Sequence, residues 1–295
     1  MDIPISNPFS IPLQENIEEE RRKIDEEIKE LQIRIQALTL ARNRLAPISR
    51  IIIPEILTSI FVWARDTSKN PRGYTSLVIS WVCRDWRQLS LTYPALWNDI
   101  QTTNMAWIQE SIIRSRNSAL SVTIDRQESK ARSSTILPFF LGYLPRMRSF
   151  TIRDANAQLV PHRRRYTCSE DWNIAVPLLE ELSLCQVNLT ESLFPQGLPR
   201  LKSLTLSFCT PGSRDNLLSP SLVSLSLRHP PQKISVMTIV KILQKLPNLQ
   251  ELSLEGSMGE EILAPNAGAA PHTVHLQNLR NLSIKVERWL EFSST

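Results

Sequence analysis

The chain has 295 residues, a length that accommodates one large domain or two to three smaller ones. Hydrophobic residues make up 42% of it, enough to bury a core, and the net charge of +5 is so diluted that acidic partners are permitted but not required. Because the sequence has only seven glycines and contains no G-x-S-x-G elbow, Walker loop or Cys–His signature, we expect neither a catalytic residue nor a cofactor.

Signals for export or membrane insertion are not found. The N-terminus, MDIPISNPFSIPLQ, has no basic stretch ahead of an apolar run, so we expect no signal peptide. No uninterrupted apolar run approaches the ~18 residues that cross a bilayer, so we expect no transmembrane helix. The four cysteines form no C-x-x-C pair, and we expect reduced thiols in the cytoplasm or the nucleus.

Residues 14–46 contain a heptad repeat, which follows an arm (1–13) that we expect to be flexible. The aliphatic seam positions are Ile17, Ile24, Ile28, Leu31, Ile35, Leu38 and Leu45, and the charged ones are Arg21 and Arg42. This pattern predicts a coiled-coil helix. Two alternatives stay open, self-association or an amphipathic helix that folds back on the next domain, because four heptads with two charged seam positions are marginal.

Residues 47–100 are apolar on more than one side. Pro54 suits the first turn of a helix, and Glu55 meets the positive end of its dipole. One stripe is predicted on Ile53, Ile56, Leu57, Ile60, Phe61 and Ala64, and a helix at 76–90 is predicted to place Val78, Ile79, Val82, Cys83 and Trp86 on one face. A piece of this size buries only ~60% of its unfolded surface. The surplus marks either a partner site or a surface that the C-terminal region covers.

Three pieces of this segment, IPEILTSIF, VCRDWRQLS and PALW, resemble in order and spacing the F-box of fungal F-box-like proteins. The resemblance includes the rare residues Pro54, Trp86 and Trp97, whereas Ile53 replaces the family's usual leucine. It implies a three-helix module that docks on a Skp-type adaptor of a cullin–RING ubiquitin ligase. Carried over by position, the adaptor contacts are Pro54, Ile56, Leu57, Ile60, Phe61, Val82, Cys83 and Trp86.

Residues 101–295 are repetitive. Six segments share one frame: LPRMRSFTI (144–152), VPLLEELSL (176–184), LPRLKSLTL (198–206), SPSLVSLSL (219–227), LPNLQELSL (246–254) and LQNLRNLSI (276–284). A looser first copy is SALSVTI (118–124). The core of each segment predicts a short strand that is apolar on one side. The segment 234–246 predicts a helix in one of the longer intervals.

The segments resemble the irregular leucine-rich repeats that often follow an F-box, which implies a solenoid with a parallel strand ladder. The residue between the two leucines would then face the concave side: Thr151, Ser183, Thr205, Ser226, Ser253 and Ser283. Hydroxyls both donate and accept hydrogen bonds, so this row predicts a substrate-binding face. The alternative is that Ser and Thr are simply tolerated on an exposed strand.

Two local clusters of basic and histidine residues give only weak evidence for a binding site. HRRRY (162–166) lies in the long interval between the first two of the six segments, which favours a projecting loop over a nucleic-acid footprint, and no aromatic-interleaved RNA motif accompanies it. Contact with a phosphate or an acidic peptide stays open as an alternative. The histidines of HTVH (272–275) lack a second ligand pair nearby, so we expect no metal.

Together these features predict an α+β multi-domain protein with a coiled-coil helix (14–46), an F-box (47–100) and a leucine-rich-repeat-like solenoid (101–295). The predicted role is a non-catalytic substrate-recognition subunit of an SCF-type ubiquitin ligase. Its partners would be a Skp-type adaptor, through it a cullin, and a protein substrate, without nucleic acid or membrane. The alternative is an interaction scaffold that assembles no ligase. A nucleic-acid-associated protein is a more distant third, which salt dependence would reveal.

Overall fold

The structure is a computed structural model of the chain. It describes residues 11–45, 53–68, 74–101, 104–125, 130–153, 166–167, 173–188, 194–209, 215–258 and 276–285. Its architecture is mixed: a long N-terminal helix, a small helical module and a parallel sheet. The predicted combination of helices and a parallel strand ladder is therefore confirmed at this level.

The N-terminal helix α1 spans Ile11–Leu45, close to the predicted range. At 1.5 Å per residue its 35 residues extend over about 50 Å. Its aliphatic seam residues from Ile17 to Leu45 are 46–66% exposed, so the helix does not fold back on any described part of the chain. Among the described residues no helix is both long enough and apolar enough to cross a membrane.

The helical module (residues 53–97) consists of α2 (Pro54–Thr67), α3 (Thr75–Ser80), α4 (Arg84–Thr92) and a 3₁₀ turn (Pro94–Trp97). Its core contains Phe61, Ile79, Leu96 and Trp97. The indole Nε1 of Trp97 donates to the carbonyl of Ser90 at 2.7 Å. The Phe61 ring lies 4.8 Å from that of Trp86, measured between centroids. These contacts hold α2 and α4 around a shared aromatic centre.

The single helix predicted at 76–90 is wrong, because the chain breaks between α3 and α4. Trp81 and Val82 form a turn, and the extended residue Cys83 caps α4, its sulfur accepting a hydrogen bond from the Trp86 N–H at 3.4 Å. A cap supplies a partner for one of the N–H groups that a helix start leaves unbonded. Of the face predicted for the single helix, Ile79 is buried whereas Val78 and Val82 are exposed.

The sheet contains eight parallel strands, in the described part of the chain, whose spatial order follows the chain. They are β1 (Asp99–Ile100), β2 (Leu120–Asp125), β3 (Met147–Arg153), β5 (Glu181–Cys185), β7 (Ser203–Ser207), β8 (Ser224–Arg228), β9 (Glu251–Glu255) and β10 (Asn281–Lys285). A separate parallel pair joins β4 (Tyr166–Thr167) to β6 (Val187–Asn188). Strands fall in all six predicted segments and in the looser copy at 118–124. β1 extends the sheet into the segment assigned to the helical module.

Four of the strands, β5, β7, β8 and β9, are framed by the same two backbone features. Ahead of β7, for example, the Leu201 N–H donates to the Leu198 carbonyl at 3.2 Å, and matching turns precede β5, β8, β9 and β10. Directly after the strand, Phe208 has a φ of 54°, and its N–H donates to the carbonyl of Arg228, the last residue of the next strand, at 2.8 Å. Gln186, His229 and Gly256 repeat this arrangement. Equivalent turns keep successive strands in register.

In the described part of the chain, three helices cover the apolar side of the sheet. They are α5 (Met105–Ser115), α6 (Lys130–Leu141) and α7 (Val236–Gln244). Of these, only α7 was predicted, since it lies within the segment 234–246. Ile108 and Ile112 of α5, and Ile239 and Ile242 of α7, join the leucines of the strands in one core. α5 also contacts the helical module, since the Trp107 ring lies 5.4 Å from that of Trp97.

Candidate functional site

Helix α2 is apolar on two opposite sides, and only one of them is used by the fold. Phe61 is 1% exposed, Thr58 is buried, and Leu57 packs against the module core. The other side, named here the α2 outer face, consists of Ile53, Ile56, Ile60 and Trp63, which are 41–67% exposed. The single stripe predicted from the sequence is therefore divided between a core and a surface.

The α2 outer face forms a shallow groove of about 450 Å³. Glu55, Ile56, Ser59, Ile60 and Trp63 line it. The Ser59 hydroxyl donates to the Glu55 carbonyl at 2.8 Å, within its own helix, so it already has a hydrogen-bond acceptor. What remains is an apolar floor with one carboxylate near the helix start. Such a surface suits the apolar side chains of a protein partner rather than a polar small molecule.

The eight residues predicted to contact an adaptor differ in their exposure to solvent. Pro54, Ile56, Ile60 and Val82 lie on the surface, and Leu57, Cys83 and Trp86 are half-buried. Phe61 needs correction: it is enclosed between Trp86 and the rest of the core, and it cannot meet a partner without unfolding the module.

Two aromatic side chains outside that predicted set belong to the exposed surface. Trp63 ends the α2 outer face, and Trp81 occupies the turn between α3 and α4. The sequence contained a signal for both, because neither falls on the inward stripe of its helix. Exposed tryptophans are costly to leave in water and are enriched in the energetic centres of interfaces.

Arg65 anchors α2 to the 3₁₀ turn. Its Nη1 donates to the carbonyl of Ala95 and to Asn98 Oδ1, the latter at 2.8 Å. The same guanidinium contacts Asp66 at 2.7 Å. Nearby, burial raises the pKa of the Asp99 carboxyl, although Gln101 donates to it at 2.8 Å. These polar contacts fix the orientation of α2 and thereby decide which of its sides points outward.

A second candidate surface is the polar side of the sheet. The strand register aligns one hydroxyl from each of seven neighbouring strands, and we name this set the hydroxyl row: Thr123, Thr151, Ser183, Thr205, Ser226, Ser253 and Ser283. The six predicted residues thus lie in one line, and Thr123 extends it to β2. Ser226 is buried, and most of the others are half-exposed.

Charged residues near the strand ends flank the hydroxyl row and pair across strands. On one flank Arg153 meets Asp125 at 3.3 Å, and Lys285 meets Glu255 at 3.5 Å. On the other, the Ser149 hydroxyl donates to Glu181 at 3.1 Å. Within the row itself, and for the residues that the structure describes, a side-chain hydrogen bond is formed only at Ser226, which accepts from Arg228 at 3.2 Å. The other hydroxyls of the row can therefore bond to a ligand without breaking an internal contact.

The remaining candidates lie elsewhere. Glu180, the residue directly before β5, contacts Arg148 at 3.2 Å and Lys202 at 3.3 Å. The hydrogen bond from Lys202, with the two positive charges, lowers the pKa of Glu180. Residues 162–165 of the basic cluster and all of HTVH lie outside the described residues. Among the residues that are described, no three His, Cys, Asp or Glu side chains gather in a group that could hold a metal ion.

Comparison of the chain with protein-family models, with curated proteins and with solved structures gave no match. The two candidate surfaces are the apolar α2 outer face and the polar sheet face around the hydroxyl row. Neither combines a nucleophile, a base and an oxyanion site in the way that a catalytic centre requires.

Proposed function

We propose that the chain is the substrate-recognition subunit of an SCF-type ubiquitin ligase. In this proposal the α2 outer face docks on a Skp-type adaptor, and the polar sheet face holds a protein substrate. The observation that carries it is the exposure of Ile53, Ile56, Ile60 and Trp63 within the segment that resembles an F-box.

The energetic argument starts from the α2 outer face. Burial of apolar surface contributes roughly 25 cal/mol per Å², and a fully buried Ile contributes about 1.5–3 kcal/mol. A lone exposed hydrophobic residue needs no explanation, but three isoleucines and a tryptophan on one side of one helix form a continuous patch. Phe61 and Leu57 already supply the internal core from the opposite side. The outer residues are therefore available to an adaptor without any rearrangement of the module.

The polar sheet face suits the second half of the role. Each hydroxyl can donate and accept, so the row can match the backbone or the polar side chains of a bound protein. The paired charges that border it restrict which surfaces can approach, because a mismatched charge there is repelled. The row is rigid, since seven strands in register fix the spacing of its members.

In this assembly the chain contributes binding and no chemistry. The Skp-type adaptor would link it to a cullin, and the substrate would be held near the enzyme that transfers ubiquitin. Proximity is sufficient for a large rate gain, because it converts an encounter between two proteins into a reaction within one complex. Such a role places the protein in the cytoplasm or the nucleus.

The test is binding of the full chain to a purified Skp-type adaptor, measured by calorimetry. We expect Ile60→Asp to abolish binding, because it places a charge in the groove that the adaptor would fill. Ile113→Asp is the matched control: it makes the same change on α5 at a residue that is also exposed. Circular dichroism should show both variants folded.

Failure of the folded wild-type chain to bind would refute the ligase role and favour the scaffold, in which the interaction surfaces act without an adaptor. Equal loss in both variants would show that binding does not depend on α2. The substrate half has its own test, since arginine at Thr151, Thr205 and Ser253 should block substrate capture while adaptor binding persists.

A further inference from the structure

Among the residues that the structure describes, the seam of α1 is a long apolar stripe that the fold leaves uncovered. Its a positions are Arg21, Ile28, Ile35 and Arg42, and its d positions are Ile17, Ile24, Leu31, Leu38 and Leu45. Every one of these aliphatic residues is exposed. Most of the stability of a helix in a protein comes from packing of its apolar face, and none of the described residues covers this one.

Charge is unevenly distributed along α1, and this limits what the partner can be. Residues 16–30 contain seven acidic and four basic side chains, a net charge of −3. Residues 31–45 contain three arginines and no acid, a net charge of +3. Two copies aligned in the same direction would place like charges together at both ends. Two copies in opposite directions would place the acidic half of each against the basic half of the other.

The seam residues favour the same orientation. In a parallel pair, Arg21 would face Arg21 of the second copy, and Arg42 would face Arg42. The flanking Glu20 would face Asp25 of the second copy, which adds a further pair of like charges. In an antiparallel pair centred between Ile28 and Leu31, each seam arginine instead meets an aliphatic residue: Arg42 packs on Ile17 of the second copy. The guanidinium of Arg42 then lies beside Glu18 of the second copy. The methylene groups of Arg42 pack on apolar surface while its charge stays hydrated.

The positions that flank the seam add two attractive contacts, which the two-fold axis of the pair relates to each other. In the antiparallel register Glu27 faces Arg34 of the second copy, and Arg34 faces that copy's Glu27. No pair of like charges is created among the flanking positions. We propose that two copies of this chain associate through α1 as an antiparallel coiled coil.

The proposal has a geometric consequence for the rest of the molecule. In this register Leu45 lies opposite residue 14 of the second copy, so the two Leu45 residues are about 45 Å apart along the axis. The helical modules would then begin at opposite ends of the rod. Two adaptor faces and two polar sheet faces in one particle would bind a multivalent partner with a gain from effective concentration. The inference does not depend on the adaptor proposal, because α1 pairs with itself.

Mass and orientation are tested on the full chain by sedimentation equilibrium. The wild-type protein should sediment with twice the mass of the 33.7 kDa monomer. Leu31→Asp should return it to monomer, since it places a charge in the central layers. Arg34→Glu should raise the dissociation constant about tenfold or more, because two attractive pairs become repulsive. Glu27→Arg should weaken the dimer to the same extent. The double variant that combines Glu27→Arg with Arg34→Glu should restore wild-type affinity.

The charge swap separates the two orientations. In a parallel pair Glu27 faces Gln32 and Arg34 faces Thr39, so neither single change would weaken the dimer. Arg44→Glu is the matched control: it removes the same charge from the same half, at a residue away from the seam, and should leave affinity nearly unchanged. A wild-type monomer at ~100 μM would overturn the proposal, and so would a dimer that Arg34→Glu leaves intact or a higher oligomer.

Discussion

Neighbouring residues of α2 should respond in opposite ways to the same truncation, because Phe61 lies in the module core and Ile60 on the α2 outer face. Phe61→Ala removes a ring that is 1% exposed and whose centroid lies 4.8 Å from that of Trp86, at an interplanar angle of 54°. Deletion of a buried phenylalanine costs about 3–5 kcal/mol, the sum of lost transfer energy and the cavity that remains. A domain has only about 5–15 kcal/mol of stability in total, so much of the module's stability would be lost.

Ile60→Ala should cost far less. The side chain is 41% exposed, so only part of its apolar surface returns to water. Alanine is also the better helix former by a few tenths of a kcal/mol. The net loss should be about 1 kcal/mol or less. If the α2 outer face is a docking surface, this stable variant should nevertheless bind the adaptor more weakly.

Urea titration followed by tryptophan fluorescence measures the effect, since Trp86 and Trp97 report on the module core. The midpoint should fall clearly for Phe61→Ala and only slightly for Ile60→Ala, with unchanged slopes. Equal losses of stability would refute the assignment of the two sides. A larger loss for Ile60→Ala would show that the outer face is covered in the native protein.

Two further predictions concern the sheet and its junction with the module. Leu204→Ala should lower the free energy of unfolding by about 3 kcal/mol, because Leu204 is fully buried in β7. Leu282→Ala, at the same repeat position in β10, should lower it by less than about 1 kcal/mol, since that side chain is 57% exposed. Similar losses for the two variants in urea titrations would contradict this difference. Burial raises the pKa of Asp99, so its ionised form lowers stability near neutral pH and the penalty vanishes below the unfolded-state pKa near ~4. Asp99→Asn should therefore stabilise the protein at pH 7 but not at pH 3, which thermal unfolding at the two pH values measures. The same gain in stability at both pH values would refute this explanation.

The repeat frame was predictable because strand formation follows a local pattern. Alternation of leucine and Ser or Thr specifies both the strand and the side that it buries, and it does so separately in every copy. Once the strands are in register, the equivalent residues must fall in rows. The alignment of Thr205 with Ser226 and Ser253 is a consequence of that regularity.

The break between α3 and α4 was not predictable from periodicity. Ile79, Cys83 and Trp86 keep helical spacing across it, and no proline or glycine marks the interruption. The break is stabilised by contacts from elsewhere: Trp86 packs on Phe61, and the Ser76 hydroxyl donates to the Leu96 carbonyl at 2.8 Å. Helix α6 escaped prediction for the opposite reason, since Pro138 lies inside it and a proline normally interrupts a helix.

The sequence by itself determined the local elements: the long α1 helix, the start of α2 at Pro54 and the strands of the repeat frame. Each of these depends on the spacing of residues within one turn or one strand. Only the tertiary structure decided which side of α2 is core, because Phe61 and Ile60 are equally apolar and differ only in what packs against them. For the same reason the seam of α1 could be recognised from its heptads, whereas its exposure depends on neighbours far away in the chain.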